Sequence, residues 1–217
     1  HPRGATADAV RGEAYLAKLR AVCETMDGQL IEREDRIPDE YVAALAKIGT
    51  FGIKIPREYG GLGLSMSYYG RALMLVGSVH ASLGAMISAH QSIGVPEPVK
   101  MFGTEEQKQR FLPRCAGGAI TAFLLTEPDV GSDPARLATT AVPDGDDYVL
   151  DGLKLWTTNG VVADLLVVMA RVPKSEGHKG GITAFVVETN SPGITVENRN
   201  AFMGLLGIEN GVTRFHQ

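Results

Sequence analysis

The chain is poor in several of the features by which proteins announce their business. It has two cysteines, Cys23 and Cys115, far apart and outside any CxxC pair, which argues against a zinc cluster or a disulfide scaffold. It has no basic stripe. Lys and Arg total 21 against 25 Asp and Glu, a net charge of −4, so the electrostatic footprint that nucleic acid requires is missing. The longest oily stretch, 72–95, is interrupted by His80 and His90 and diluted by Gly and Ser, and it reads as buried helix and not as a membrane span. The five histidines are scattered singly, which leaves no helical His pair for a metal. G-x-S-x-G is absent, and with it the nucleophile elbow. "EYGGLGLS" carries Gly61 and Gly63 without the third glycine of a dinucleotide loop, so its plain reading is a tight turn. No basic and apolar leader follows His1; nothing in the sequence encodes export, and a reduced, cytoplasmic setting is expected.

What is present is a 44% apolar complement, enough for a real core, arranged in two halves of different periodicity. Leu16, Leu19, Cys23, Met26 and Leu30 recur at alternating steps of three and four, which predicts one amphipathic helix from Asp8 onward. Pro38 opens and Gly49 closes a second helical segment. Two more helices are expected over 67–93, and Thr104 with Gln107 forms a T-x-x-Q capping box ahead of a helix that Gly117-Gly118 ends. Past Ile120 the pattern turns to short β-rich runs, "ITAFLLT", "DYVLDG", "KLWTT", "DLLVVMARV", "GITAFVVE" and "GITVE", parted by Pro, Gly, Asp and Asn. The expectation is an α+β chain: an all-helical domain over 1–118, then a β-barrel or sandwich domain over 119–217. The closing "GVTRFHQ" reads as a strand still under way.

Two strand ends carry the polar chemistry. Thr126 closes "ITAFLLT" with a short, rotamer-limited hydroxyl, and Gly131 and Ser132 follow with backbone amides open to an anionic oxygen. "KLWTTNG" repeats the device, with the broad face of Trp156 beside Thr157 and Thr158. Together they would clasp a planar ring and its phosphate. The plain alternative makes Thr126 and Ser132 turn formers, Asp133 an N-cap before Pro134 and Trp156 a core aromatic. Glu127, held extended by Pro128, reads as a loop-bracing carboxylate in preference to a general base. His80 and His90 read as core or groove residues. The small residues Gly84, Ala85, Ser88 and Ala89 suit either an acyl tail or close helix packing, and packing is preferred.

"LLTEPDVGSD" and "LKLWTTNG" resemble the two flavin-contacting signatures of the acyl-CoA dehydrogenase family. "IPREYGGLGLS", "FGTEEQKQRFLPRCAGG" and "GITAFVVETNSPGITV" extend the resemblance along nearly the whole chain, and "AVPDGDDYVLDGLKLWTTNG" is most similar to the very-long-chain branch. The resemblance implies a helical N-terminal domain, a middle β-domain and a C-terminal helical bundle, with FAD between the last two. It implies that Phe123, Leu125 and Thr126 line the pyrimidine side of the isoalloxazine. Gly131 and Ser132 would meet the pyrophosphate, Ser132 also lying close to CoA, and Trp156, Thr157 and Thr158 would complete the flavin contacts. The implied activity is α,β-dehydrogenation of an acyl-CoA, with electrons passed on to an electron-transfer flavoprotein, in a homodimer or homotetramer; in a eukaryote the setting would be the mitochondrial matrix. An acyl-CoA oxidase or flavin monooxygenase on the same scaffold, or a non-catalytic acyl-CoA- or flavin-binding module, are the competing readings. The C-terminal bundle lies outside the 217 residues, so no catalytic residue and no metal ligand is assigned. The chain is either part of a longer protein, the preferred reading, or completed by a second polypeptide. Phe123 stands where many relatives have tyrosine, and Thr157 where an aliphatic residue is more usual.

Overall fold

A computed structural model describes residues 6–175 and 179–216. The chain divides into two compact units, residues 1–120 with 202–208, and residues 121–201 with 209–217. The first unit is helical: α1 (Thr6–Cys23), α2 (Gly28–Glu34), α3 (Asp39–Lys47), α4 (Met66–Val79), α5 (Ala81–Ser92), α6 (Pro96–Phe102) and α7 (Glu105–Ala116). The single helix expected across Leu16–Leu30 is in fact two. Gly28 packs so close to α4 that a Cβ would lie 2.2 Å from the Val79 carbonyl oxygen. Asp27 leaves helical conformation, accepts from the Gln29 amide at 2.9 Å, and gives its own amide to the Tyr41 hydroxyl at 2.8 Å.

The other local signals act as read. α3 starts after Pro38, and Gly49 follows it at φ 81°. Gln107 donates its amide to Thr104 Oγ1 at 3.2 Å while the Thr104 amide donates to Gln107 Oε1 at 2.9 Å, closing the capping box of α7. α4 and α5 meet at His80, whose Nδ1 accepts from the Ser82 amide at 3.2 Å and whose Nε2 lies 2.6 Å from Glu32. His90 is fully buried with Nε2 2.9 Å from the Phe51 carbonyl oxygen. At Gly84 a Cβ would stand 3.5 Å from Gly77 Cα, so the small residue lets α5 approach α4 closely. The turn reading of "EYGGLGLS" also holds: Gly60 and Gly63 take φ 82° and 56°, and a Cβ at Gly61 would meet the Ile55 carbonyl oxygen at 2.0 Å. α6 was not anticipated, being seven residues with two prolines, the first at its opening turn.

The core of this unit joins Leu19, Ile31, Leu45, Val76, Leu83 and Ile87, each fully buried and each worth roughly 1.5–3 kcal/mol of transfer free energy. Ile208 belongs to the same core. Its segment is tied in by Ser82 Oγ donating to the Leu206 carbonyl and by the Gly207 amide donating to Asp35 Oδ1, both at 2.8 Å. Among the described residues no helix is long and apolar enough to cross a membrane.

The second unit contains β1 (Thr121–Leu124), β2 (Thr140–Asp144), β3 (Asp147–Thr157), β4 (Leu165–Val172), β5 (Gly181–Glu188), β6 (Ile194–Arg199) and β7 (Gly211–Phe215). They form one sheet in the order β1-β4-β2-β3-β7-β6, with β5 antiparallel to β4, so the barrel-or-sandwich expectation takes the form of a curled half-barrel. Ala122, Leu124, Leu166, Val168 and Phe215 fill its core. "DYVLDG" and "KLWTT" turn out to be one strand, and β1 stops at Leu124, short of the end of its apolar run. β2 was missed because Pro143 lies inside it; a two-residue loop led by Gly145 at φ 63° returns it into β3.

Candidate functional site

The two stretches singled out in the sequence are joined. β1 pairs in parallel with β4 along one side. On the other, the Leu155 amide donates to the Thr126 carbonyl at 2.8 Å and Asn159 Nδ2 donates to the Thr121 carbonyl at 3.2 Å, so β3 and the turn after it hold both ends of the stretch 121–126. Between those anchors β3 bulges: its register against β7 shifts between Lys154 and Thr157.

The bulge turns Trp156 outward. Its φ is 57°, a left-handed conformation that a bulky residue adopts at a cost of roughly 1–3 kcal/mol and keeps only when its surroundings hold it there. The indole is 58% exposed, which excludes the core-aromatic reading. Thr157 turns the opposite way. Its side chain is buried against Gly160, its hydroxyl has no hydrogen-bond partner among the described residues, and it can offer a ligand only its backbone. Thr158 is half-buried and its hydroxyl accepts from Asn210 Nδ2 at 3.3 Å. Asn210 is in turn oriented by Asn200 Nδ2, which donates to Asn210 Oδ1 at 2.8 Å. Asn210 escaped the sequence reading because an Asn beside a strand looks like any turn former.

Phe123, Leu125 and Thr126 are half-buried at the end of β1, and the Thr126 hydroxyl has no partner among the described residues. The loop that follows is closely braced. Glu127 accepts from the amides of Ala138 at 2.6 Å and Thr139 at 2.9 Å, from Thr139 Oγ1 at 2.5 Å, and from Lys154 Nζ at 2.8 Å. Arg171 donates to the carbonyls of Ala135 and Leu137, and Asp133 caps the short turn 134–136 by accepting from the Ala135 amide. Gly131 and Ser132 are exposed within this frame, their amides take no part in its hydrogen bonds, and a Cβ at Gly131 would meet nothing within 4 Å.

Burial pushes the Glu127 carboxyl up, but the Lys154 ammonium, the Thr139 hydroxyl and the two amides outweigh it and hold the group below the usual carboxylate range. Burial pulls the Lys154 ammonium down against the opposing pull of Glu127. Three donors on Oε1 and one on Oε2 favour the charged carboxylate and make it a weak base, so Glu127 braces the loop. The arrangement as a whole presents an apolar plate, hydroxyls at two strand ends, and an open amide turn. Those are the needs of a flat heterocycle joined to a phosphate.

Residues 13–119 match the acyl-CoA dehydrogenase N-terminal domain, and residues 122–217 match the acyl-CoA dehydrogenase middle domain. The chain belongs to the acyl-CoA dehydrogenase family. It is 69% identical over 218 residues to the probable acyl-CoA dehydrogenase FadE10 of Mycobacterium tuberculosis, covering 100% of this chain and 34% of that protein. It is 39% identical over 179 residues to the mitochondrial very long-chain specific acyl-CoA dehydrogenase of Bos taurus, with 79% and 27% covered. Among solved structures, the glutaryl-CoA dehydrogenase of Mycobacterium smegmatis in complex with FADH2 superposes with a TM-score of 0.83 at 31% identity, over 94% of this chain and 52% of that one. The chain spans about a third of the length of the curated mycobacterial relatives it matches.

Proposed function

We propose that this chain is the flavin- and acyl-CoA-binding part of an FAD-dependent acyl-CoA dehydrogenase that removes hydrogen across the α,β-bond of acyl-CoA thioesters. One observation carries the reading: the exposed Trp156, set on left-handed backbone next to Leu155, whose amide ties this strand end to the Thr126 carbonyl, while the Thr126 hydroxyl has no partner among the described residues. Trp156 offers the ring its apolar face, with Phe123 and Leu125 at the end of β1. The Thr126 and Thr158 hydroxyls and the Thr157 backbone serve its polar edge, and the amides of Gly131 and Ser132 serve the pyrophosphate, Ser132 also facing the CoA moiety. FAD, when bound, supplies the acceptor for the β-hydrogen as hydride. The residues of this chain hold the ring edge and exclude water from it, so that acyl chain and acceptor meet in reactive geometry. The α-proton goes to a base outside these 217 residues, in keeping with the family resemblance, since Glu127 is held ionised as a weak base. Transfer of electrons to an electron-transfer flavoprotein and assembly as a homo-oligomer belong to the same proposal, supported by family membership.

The test is the visible spectrum of the full-length protein followed by anaerobic titration with acyl-CoAs of graded chain length. Flavin bands that bleach with at least one acyl-CoA are the expected result. Bands that stay unchanged with every chain length overturn the proposal, and oxygen uptake that keeps pace with turnover moves the enzyme to the oxidase class.

A further inference from the structure

Lys154 is fully buried and Glu127 is 5% exposed, in a sheet whose interior is otherwise built mainly from Val, Leu and Ala. Burying two charges is expensive, and apolar pairs of similar volume commonly stabilise a core as well or better. The pair therefore asks for a reason beyond stability. Its geometry supplies one. The three protons of the Lys154 ammonium go to three acceptors on two segments: the Met169 carbonyl in β4 at 2.7 Å and, on the stretch that follows β1, the Glu127 carboxylate at 2.8 Å and the Leu125 carbonyl at 3.2 Å. Leu125 and Glu127 flank Thr126, and Lys154 stands two residues before Trp156. A single ammonium thus fixes the end of β1 against the bulge of β3. Glu127 extends the clamp by closing the loop 128–137 through Ala138 and Thr139, and that loop carries Gly131 and Ser132.

We infer that the Lys154–Glu127 pair is a positioning device that sets the Thr126 hydroxyl, the Trp156 indole and the Gly131–Ser132 amides in one fixed arrangement for the flavin, an inference that rests on the proposed function. Neither residue touches the ligand. Both act through their neighbours.

The test uses the full-length protein, deflavinated, as wild type, Lys154→Met and the double variant Glu127→Gln with Lys154→Met. Two quantities are read: the Kd for added FAD, with the shape of the bound flavin bands, and the rate of tryptic cleavage after the exposed Arg136 without cofactor. In the double variant no buried charge is left without its partner, so its melting temperature should lie nearer to wild type than that of Lys154→Met. Its Kd for FAD should nonetheless remain at least tenfold above wild type, and cleavage at Arg136 at least tenfold faster. A purely stabilising pair would instead give a folded double variant with wild-type Kd, band shape and cleavage rate, and that result overturns the inference. Should Lys154→Met not fold, the double variant carries the comparison alone. Wild-type protein that takes up no FAD sinks the proposed function, and the cleavage rates then decide whether the clamp holds the loop.

Discussion

Trp156 occupies a backbone conformation suited to glycine, and the consequences can be read at that one position. Trp156→Ala keeps the left-handed strain and loses the indole, whereas Trp156→Gly loses both. The glycine variant should be more stable than the alanine variant by about 1 kcal/mol in urea unfolding, while both bind flavin more weakly than wild type. Glu127 makes a second residue-scale case. Its folded pKa is lowered, so its stabilising contribution is complete above the unfolded carboxylate value of about 4.3 and is lost as pH falls through the folded value. The stability gap between wild type and Glu127→Gln should be level between pH 7 and 5.5 and narrow steadily at lower pH. His90 has the same sign in a different window. Burial pushes it down to about 4, against the opposing hydrogen bond to the Phe51 carbonyl. Between pH 6.5 and 4 the unfolded chain takes up a proton that the folded chain refuses, and the protein should lose roughly 3 kcal/mol that His90→Gln does not lose. Urea unfolding at the two pH values measures it.

At the scale of elements, the turn after Ile55 depends on a missing side chain. Gly61→Ala would drive a Cβ against backbone that cannot yield, and a loss on the order of 3 kcal/mol is expected in thermal or urea unfolding. This turn was legible because glycines in such density have few other uses. So were the T-x-x-Q box and the Pro38–Gly49 helix, whose signals lie within a few residues of what they control. The break between α1 and α2 was not, because the three-four stripe runs on through it; the local device is Asp27, which caps α2 in extended conformation, and the close approach of Val79 to Gly28 adds a constraint distant in sequence. The site divides in the same way. Thr126 and Trp156 stood out as polar and aromatic punctuation at strand ends. Lys154 did not, since a lysine in a strand usually faces water and its burial follows from the bulge and from partners in β4 and the loop. The inward turn of Thr157 also follows from the bulge, which inverts the alternation of sides that the strand would otherwise impose.

For the whole molecule, a ligand that binds only the folded state adds RT ln(1 + [L]/Kd). Full-length protein with FAD at about one hundred times Kd should therefore gain about 2.7 kcal/mol, seen as a higher melting temperature that Trp156→Ala shows only at greater FAD concentration. The helical unit carries a different kind of dependence. Ile208 lies in its core, and Leu206 and Gly207 bond to Ser82 and Asp35, although the β-strands β1 to β6 intervene in the chain. During synthesis the helices therefore emerge from the ribosome well before the stitch that finishes them. A nascent chain halted at residue 120 would present an open seam where 202–208 belong, and chaperones would meet that seam for as long as the intervening strands take to be translated.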